Sequence, residues 1–264
     1  MKISVLGCSG GIGDDRHTTS FLIDDDILVD AGTGVMRLSI EALARIDHVF
    51  LTHSHLDHVL CLPLLLDSVA GRRGHALVLH AMPEVLEILK DHLFNWRIWP
   101  DFSRIPSADS PFLRYAPLEI GVPRCLGNRE ITAIPANHTV PAVGYLLRGA
   151  GGSLLFSGDT ASHSRLWELA DTTADMKHLI VECSFAKGQS DVALASKHYC
   201  PEALSIDLAL MRPGPAVWIS HLKPGGEADI MVELDALVPG RVQALQEGMV
   251  FDLKVARLPA GMPW

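Results

Sequence analysis

Residues 49–62, VFLTHSHLDHVLCL, decide how this chain is read. The apolar run DHVFLT (47–52) predicts a buried strand, and His53, His55, Asp57 and His58 stand where that strand ends. Residues i and i+2 of an extended segment project to one side, so His53 and His55 share a face. Asp57 and His58 follow as the chain turns into a helix that continues through PLLLDSVA, and they can point back at a neighbouring spot. Two ligand sets a few ångströms apart are what a two-metal site needs, with its ions roughly 3.5–4 Å apart. Imidazole with carboxylate suits Zn²⁺ first, then Mn²⁺ or Fe, ahead of Ca²⁺ or Mg²⁺. A solvated loop with coincidental histidines is the bland alternative, and the crowding of ligand types into residues 53–58 weighs against it.

Four side chains are too few for two ions, so further donors are expected at other strand ends. His138 closes a strand in ITAIPANHTVPAVGY, Asp159 closes one in LLFSGDT, and His221 closes one in VWISHLKPG. Polar residues that end apolar runs occupy the position where α/β folds gather active sites.

THSHLDH, followed in order by His138, Asp159 and His221, resembles the metallo-β-lactamase superfamily, whose signature is HxHxDH with a distant His, Asp and His. The likeness runs from LVDAGTG (Asp30, Gly32, Gly34) to the last histidine. It implies an α/β fold, the four-layer αββα sandwich. It also implies that one metal sits on His53, His55 and His138 and the other on Asp57, His58 and His221, with Asp159 bridging. The stretches NWRIWPDFSRIP, NHTVPAVGY, SGDT, ECSF, HYCPEAL and SHLKP resemble the class II cyclic-nucleotide phosphodiesterases, particularly their bacterial relatives. Cys61 departs from that family, which carries a small Gly or Ser there. The resemblance implies hydrolysis of a 3′,5′-cyclic nucleotide by attack of a hydroxide held between the metals.

Outside the ligand set, Glu182 (VECSF) and His198 (SKHYCP) are candidates for assisting the leaving group. A carboxylate on one imidazole nitrogen fixes the tautomer, leaving His198 as proton donor or phosphate clamp. The competing assignment makes Glu182 a surface residue at a strand end and His198 a helix cap. With Asp57, these are the residues expected in catalysis. Trp99 and Phe102, near Trp96 and Pro100, are expected as a purine-stacking wall; aromatic anchors of an insertion are the alternative. His17, His48, His75, His80, His92, His163 and His178 show no partner pattern and read as ordinary surface or hydrogen-bonded histidines.

Strand signals at KISVLG, TTSFLID and DILVDAG precede helical periodicity over TGVMRLSIEALARI (33–46), and Asp24–Asp26 predict a hairpin turn. The strand–helix rhythm persists through both halves, without tandem repeats or a linker. The expected organisation is one domain over 1–264, with about 95–123 an irregular insertion over its face.

The net charge of −9 disfavours a nucleic-acid polymer as partner, because such affinity comes mainly from Lys and Arg on phosphates. The expected partner is a small phosphodiester. A tRNA 3′-processing endonuclease resembles the chain in HxHxDH, SGDT and the Glu/His pair. That family carries a protruding arm between its third His and bridging Asp, where residues 139–158 allow only two strands and a turn. Thiolester or lactam hydrolysis and a non-catalytic scaffold are the remaining alternatives. The five cysteines are irregularly spaced and read as reduced thiols. Ile3–Leu6 is too short for a signal h-region and no run reaches a membrane span, so a cytoplasmic protein is expected. Dimers are common among the families it resembles, which makes a homodimer a further expectation.

Overall fold

The computed structural model describes residues 1–212 and 214–254; residue 213 and the last part of the expected domain, 255–264, lie outside them. The strands are β1 (Lys2–Gly7), β2 (Ser20–Ile23), β3 (Ile27–Val29), β4 (His48–Phe50), β5 (Leu77–Ala81), β6 (Leu113–Pro117), β7 (Pro123–Leu126), β8 (Arg129–Pro135), β9 (Val143–Gly149), β10 (Gly152–Phe156), β11 (Met176–Glu182), β12 (Ala216–Ser220), β13 (Val242–Ala244) and β14 (Val250–Asp252). They form two mixed seven-stranded sheets, in the orders β14-β1-β2-β3-β4-β5-β6 and β13-β12-β11-β10-β9-β8-β7.

Period-2 alternation explains why the sheets stack. Ile27 and Val29 of β3 and Phe50 of β4 point between the sheets, meeting Val143, Tyr145, Leu154 and Phe156. Leu28, Val49 and Leu51 point the other way, onto a helical layer. Leu155, Leu179, Val181, Val217 and Ile219 likewise leave the second sheet's outer face, onto another helical layer. Both faces of these strands are covered, so they read as nearly continuous apolar runs. The first helical layer holds α1 (Ile40–Leu43), α2 (Leu56–Val59), α3 (Cys61–Val69) and α4 (Pro83–His92). The second is built by α5 (Ser164–Thr172), α7 (Pro201–Leu210) and α8 (Glu227–Leu237), with the short α6 (Ser190–Ser196) preceding His198. This is the expected αββα sandwich.

Three expectations need correction. Residues 33–46 do not form one helix: a 3-10 turn over Thr33–Arg37 precedes α1. Gly34 is pressed against β1, where a Cβ would lie 2.7 Å from the Gly7 nitrogen, and Thr33 exchanges hydrogen bonds with Thr18. Those contacts hold the turn, and Ser39 Oγ then starts α1 by accepting from the Ala42 N–H. Second, residues 95–123 are not wholly an insertion, because β6 pairs in parallel with β5 at the first sheet's edge. Third, Phe102 is 4% exposed within the first helical core, and Trp99 packs against that core. A ring with no free surface cannot stack on a substrate, so Phe102 anchors the segment. Cys61 also faces this core, 3% exposed, and is not a lining residue of the ligand cluster.

Candidate metal centre

Four of the expected ligands lie just past the end of a strand, and His55 stands at the N-cap of α2. His53 follows β4, His138 follows β8, Asp159 follows β10 and His221 follows β12, while Asp57 and His58 sit in α2. These sequence-distant groups converge into two overlapping clusters. His53, His55, His138 and Asp159 form one; Asp57, His58, Asp159 and His221 form the other; the ligand atoms in each lie within 4.8 Å of one another. Asp159 Oδ2 lies 3.3 Å from both His58 Nε2 and His221 Nε2, and 3.7 Å from His53 Nε2. One carboxylate oxygen thus faces both sets. His138 Nε2 lies 3.1 Å from His55 Nδ1, and Asp57 Oδ2 lies 3.2 Å from His221 Nε2.

The opposite edges of the rings are occupied, which fixes where the free nitrogens point. His58 Nδ1 lies 2.7 Å from Asp30 Oδ2, His53 Nδ1 3.0 Å from Thr52 Oγ1, and His221 Nδ1 2.8 Å from Ser184 Oγ. His138 Nδ1 faces the Lys197 carbonyl at 3.2 Å. Asp30, fully buried at the end of β3, also accepts from the Thr52 N–H and hydroxyl. It therefore braces the His53–His58 loop from below. Asp30 was visible only as part of a motif, and Thr52, Ser184 and Lys197 carried no sequence signal, because their partners are remote along the chain.

The donors fit divalent cations. His53 Nε2 is buried without a hydrogen-bond partner, a costly orphan unless something electron-poor meets it. Burial holds His53, His55 and His138 below the usual histidine range, in the neutral form that a metal binds. At His58 burial opposes the charged form, but the carboxylates of Asp159 and Asp30 outweigh it and hold the ring's pKa up. That concentration of negative charge around one buried imidazole is what a cation relieves.

Glu182 is fully buried, which removes its surface-residue assignment. Its Oε1 accepts from the Thr160 N–H at 3.0 Å and lies 2.6 Å from His198 Nδ1; its Oε2 accepts from Ser184 Oγ. It sits behind His198, against the ring's Nδ1 edge. Burial opposes charge on His198, but Glu182's charge and hydrogen bond raise its pKa above the usual range. The His198 ring stacks on His221 at 5.3 Å and meets His138 edge-on at 4.9 Å, so the pair joins the cluster. Phe102 belongs to the first hydrophobic core instead, and the partly buried Trp99 packs against it.

The Beta-lactamase superfamily domain family matches residues 25–236. A probable 3′,5′-cyclic-nucleotide phosphodiesterase of Yersinia pestis is 25% identical, over 85% of this chain and 78% of that protein. A ribonuclease Z of Parabacteroides distasonis is 28% identical, over 55% of this chain and 49% of its own length. The crystal structure of unliganded yeast PDE1 superposes with a TM-score of 0.80 at 20% identity, covering 94% of this chain and 98% of that one.

Proposed function

This chain belongs to the metallo-β-lactamase superfamily, and we propose that it is a two-metal hydrolase of a small phosphodiester, with a 3′,5′-cyclic nucleotide as first candidate. The observation that carries the two-metal reading is Asp159 Oδ2, one oxygen within 3.7 Å of ligand nitrogens from both sets. His53, His55 and His138 would hold one divalent cation and Asp57, His58 and His221 the other, with Asp159 shared. Zn²⁺ is the first candidate and Mn²⁺ or Fe the others, as the mixed imidazole–carboxylate donors suggest. Bound there, the ions would neutralise the phosphate and lower the pKa of water towards neutrality.

The chain's own residues supply the proton handling. Asp57 keeps open surface, with 29% of its side chain exposed, and its carboxylate can orient the attacking water by accepting a hydrogen bond from it. Cleavage breaks a phosphorus–oxygen bond, and the departing sugar oxygen needs a proton. His198, braced at Nδ1 by Glu182, keeps Nε2 free to donate it. Glu182 fixes that tautomer and, through the Thr160 N–H, ties His198 to the residue beside Asp159.

The cyclic-nucleotide assignment is supported by the Yersinia relative, which aligns over most of both chains. Residues 139–158 form mainly the β9–β10 hairpin, closed by the Gly149–Gly152 pair, so no protruding arm stands there to grip tRNA. Among the described residues no helix is long and apolar enough to cross a membrane. The deciding test is a panel on metal-replete protein: cyclic AMP, cyclic GMP, 2′,3′-cyclic nucleotides, a chromogenic phosphodiester, precursor tRNA and a β-lactam. Cyclic-nucleotide turnover is expected; lactam hydrolysis without any phosphodiester turnover would refute the proposal.

A further inference from the structure

Two side chains beside the centre are explained neither by the core nor by the ligand set. Lys223 follows His221 by two residues, and its half-buried ammonium donates to the Gly10 carbonyl. Gly10 lies directly over the ligand: a Cβ there would stand 2.8 Å from His221 Nδ1. Among the described residues no carboxylate lies within ion-pair distance of Lys223. An ammonium has three donors, and the Gly10 bond uses one. In a chain of net charge −9, a half-buried cation without an acidic partner is unusual, and its charge is felt at His198.

Phe185 is the second. It is half-buried yet belongs to none of the three cores. Its ring meets His198 edge-on at 5.7 Å, and Lys223 Nζ lies 5.8 Å from its centroid. A half-buried cation without a carboxylate partner, held next to a half-buried ring that itself meets His198, matches an anion attached to a flat aromatic group.

We propose that Lys223 and Phe185 form the substrate-recognising rim of this centre. Lys223 donates to a phosphoryl oxygen and Phe185 flanks a nucleobase, so the substrate is a phosphodiester carrying a planar ring. This rests on the phosphodiesterase reading above, and it stands in place of the stacking wall expected at Trp99 and Phe102.

The test is calorimetric titration of metal-loaded protein with 5′-AMP and with ribose 5-phosphate, which lacks the base, alongside cyclic AMP turnover. Lys223→Met should weaken both ligands about tenfold, the loss expected for a charge-assisted hydrogen bond, and Lys223→Arg should restore most of it. Phe185→Leu keeps apolar bulk but loses the ring; it should weaken 5′-AMP about tenfold and leave ribose 5-phosphate unchanged. Metal content and Tm should match wild type in every variant. Binding within twofold of wild type in Lys223→Met would overturn the anion contact. Equal affinity of the wild type for both ligands, or a Phe185→Leu effect on both, would overturn the base contact. A wild type that binds as expected but turns over no phosphodiester would refute the reaction assignment and leave the rim standing.

Discussion

Asp30 and His58 are joined by a 2.7 Å contact between two wholly buried side chains, one from the end of β3 and the other from α2. Asp30 also receives the Thr52 N–H, so one carboxylate sets both the His58 ring and the backbone entering His53. Asp30→Asn should therefore lower metal affinity about 10–100-fold, the usual cost of losing a group that orients a ligand. Competition against a chromogenic chelator measures it; unchanged affinity would remove Asp30 from the site's support.

Metal loading should be a stability event. The clustered imidazoles and the orphaned His53 Nε2 are costly to bury without a cation. A ligand that binds only the folded state stabilises by about 2.7 kcal/mol at a hundredfold excess over its Kd. Excess chelator should lower Tm by several degrees, and re-added Zn²⁺ should restore it. Scanning calorimetry at matched ionic strength reads the shift; an unmoved Tm would argue for a scaffold.

His198→Ala should cut turnover by roughly 10²–10⁴-fold, the usual contribution of a positioned proton donor, with metal content unchanged. Glu182→Gln should act in the same direction, since it loses the charge that faces Nδ1. Elemental analysis beside steady-state kinetics separates this from ligand loss. Full activity in both variants would take the pair out of the mechanism.

Phe102→Ala should cost about 3–5 kcal/mol of stability, as for an aromatic ring removed from a packed core. Urea unfolding gives the number. KM should stay at the wild-type value, and a rise in KM without loss of stability would revive the stacking wall.

His80 makes the fold acid-sensitive away from the centre. Burial, and then the neighbouring His48, push its pKa down to about 3; its ring stacks on Phe50 at 4.2 Å, and its Nε2 lies 3.0 Å from His48 Nδ1. The unfolded chain binds this proton near pH 6.5 and the folded chain does not. Stability is therefore whole above about pH 6.5 and declines as pH falls towards 3, by about 2 kcal/mol at pH 5 from this group. His80→Phe should flatten that slope between pH 6.5 and 4.5 in urea titrations. An identical slope would assign the acid loss to other groups.

Much of this was legible in the chain itself, because strand periodicity and ligand spacing are local. VFLTHSHLDH announces a strand that ends in candidate metal donors, and His138, Asp159 and His221 stand at analogous ends. The helix expected over 33–46 failed because propensity cannot see that Gly34 must press against Gly7. β6 is not legible in the sequence because LRYAP, five residues among prolines and aromatics, has weak alternation and gains its place from pairing with β5. Phe102 and Phe185 are both aromatics in irregular segments, and only packing separates the buried anchor from the half-buried ring.

The sequence by itself determined the strand–helix rhythm and the strand ends where candidate donors stand, since hydrophobic period and residue chemistry are properties of short segments, and the family resemblance implied the sandwich. Only the tertiary structure decided that Asp159 faces both sets, that Asp30 and Ser184 brace the rings, and that Lys223 lies beside Phe185. Those relations join residues far apart in the chain, and the packing of two sheets is what brings them within hydrogen-bonding and stacking reach.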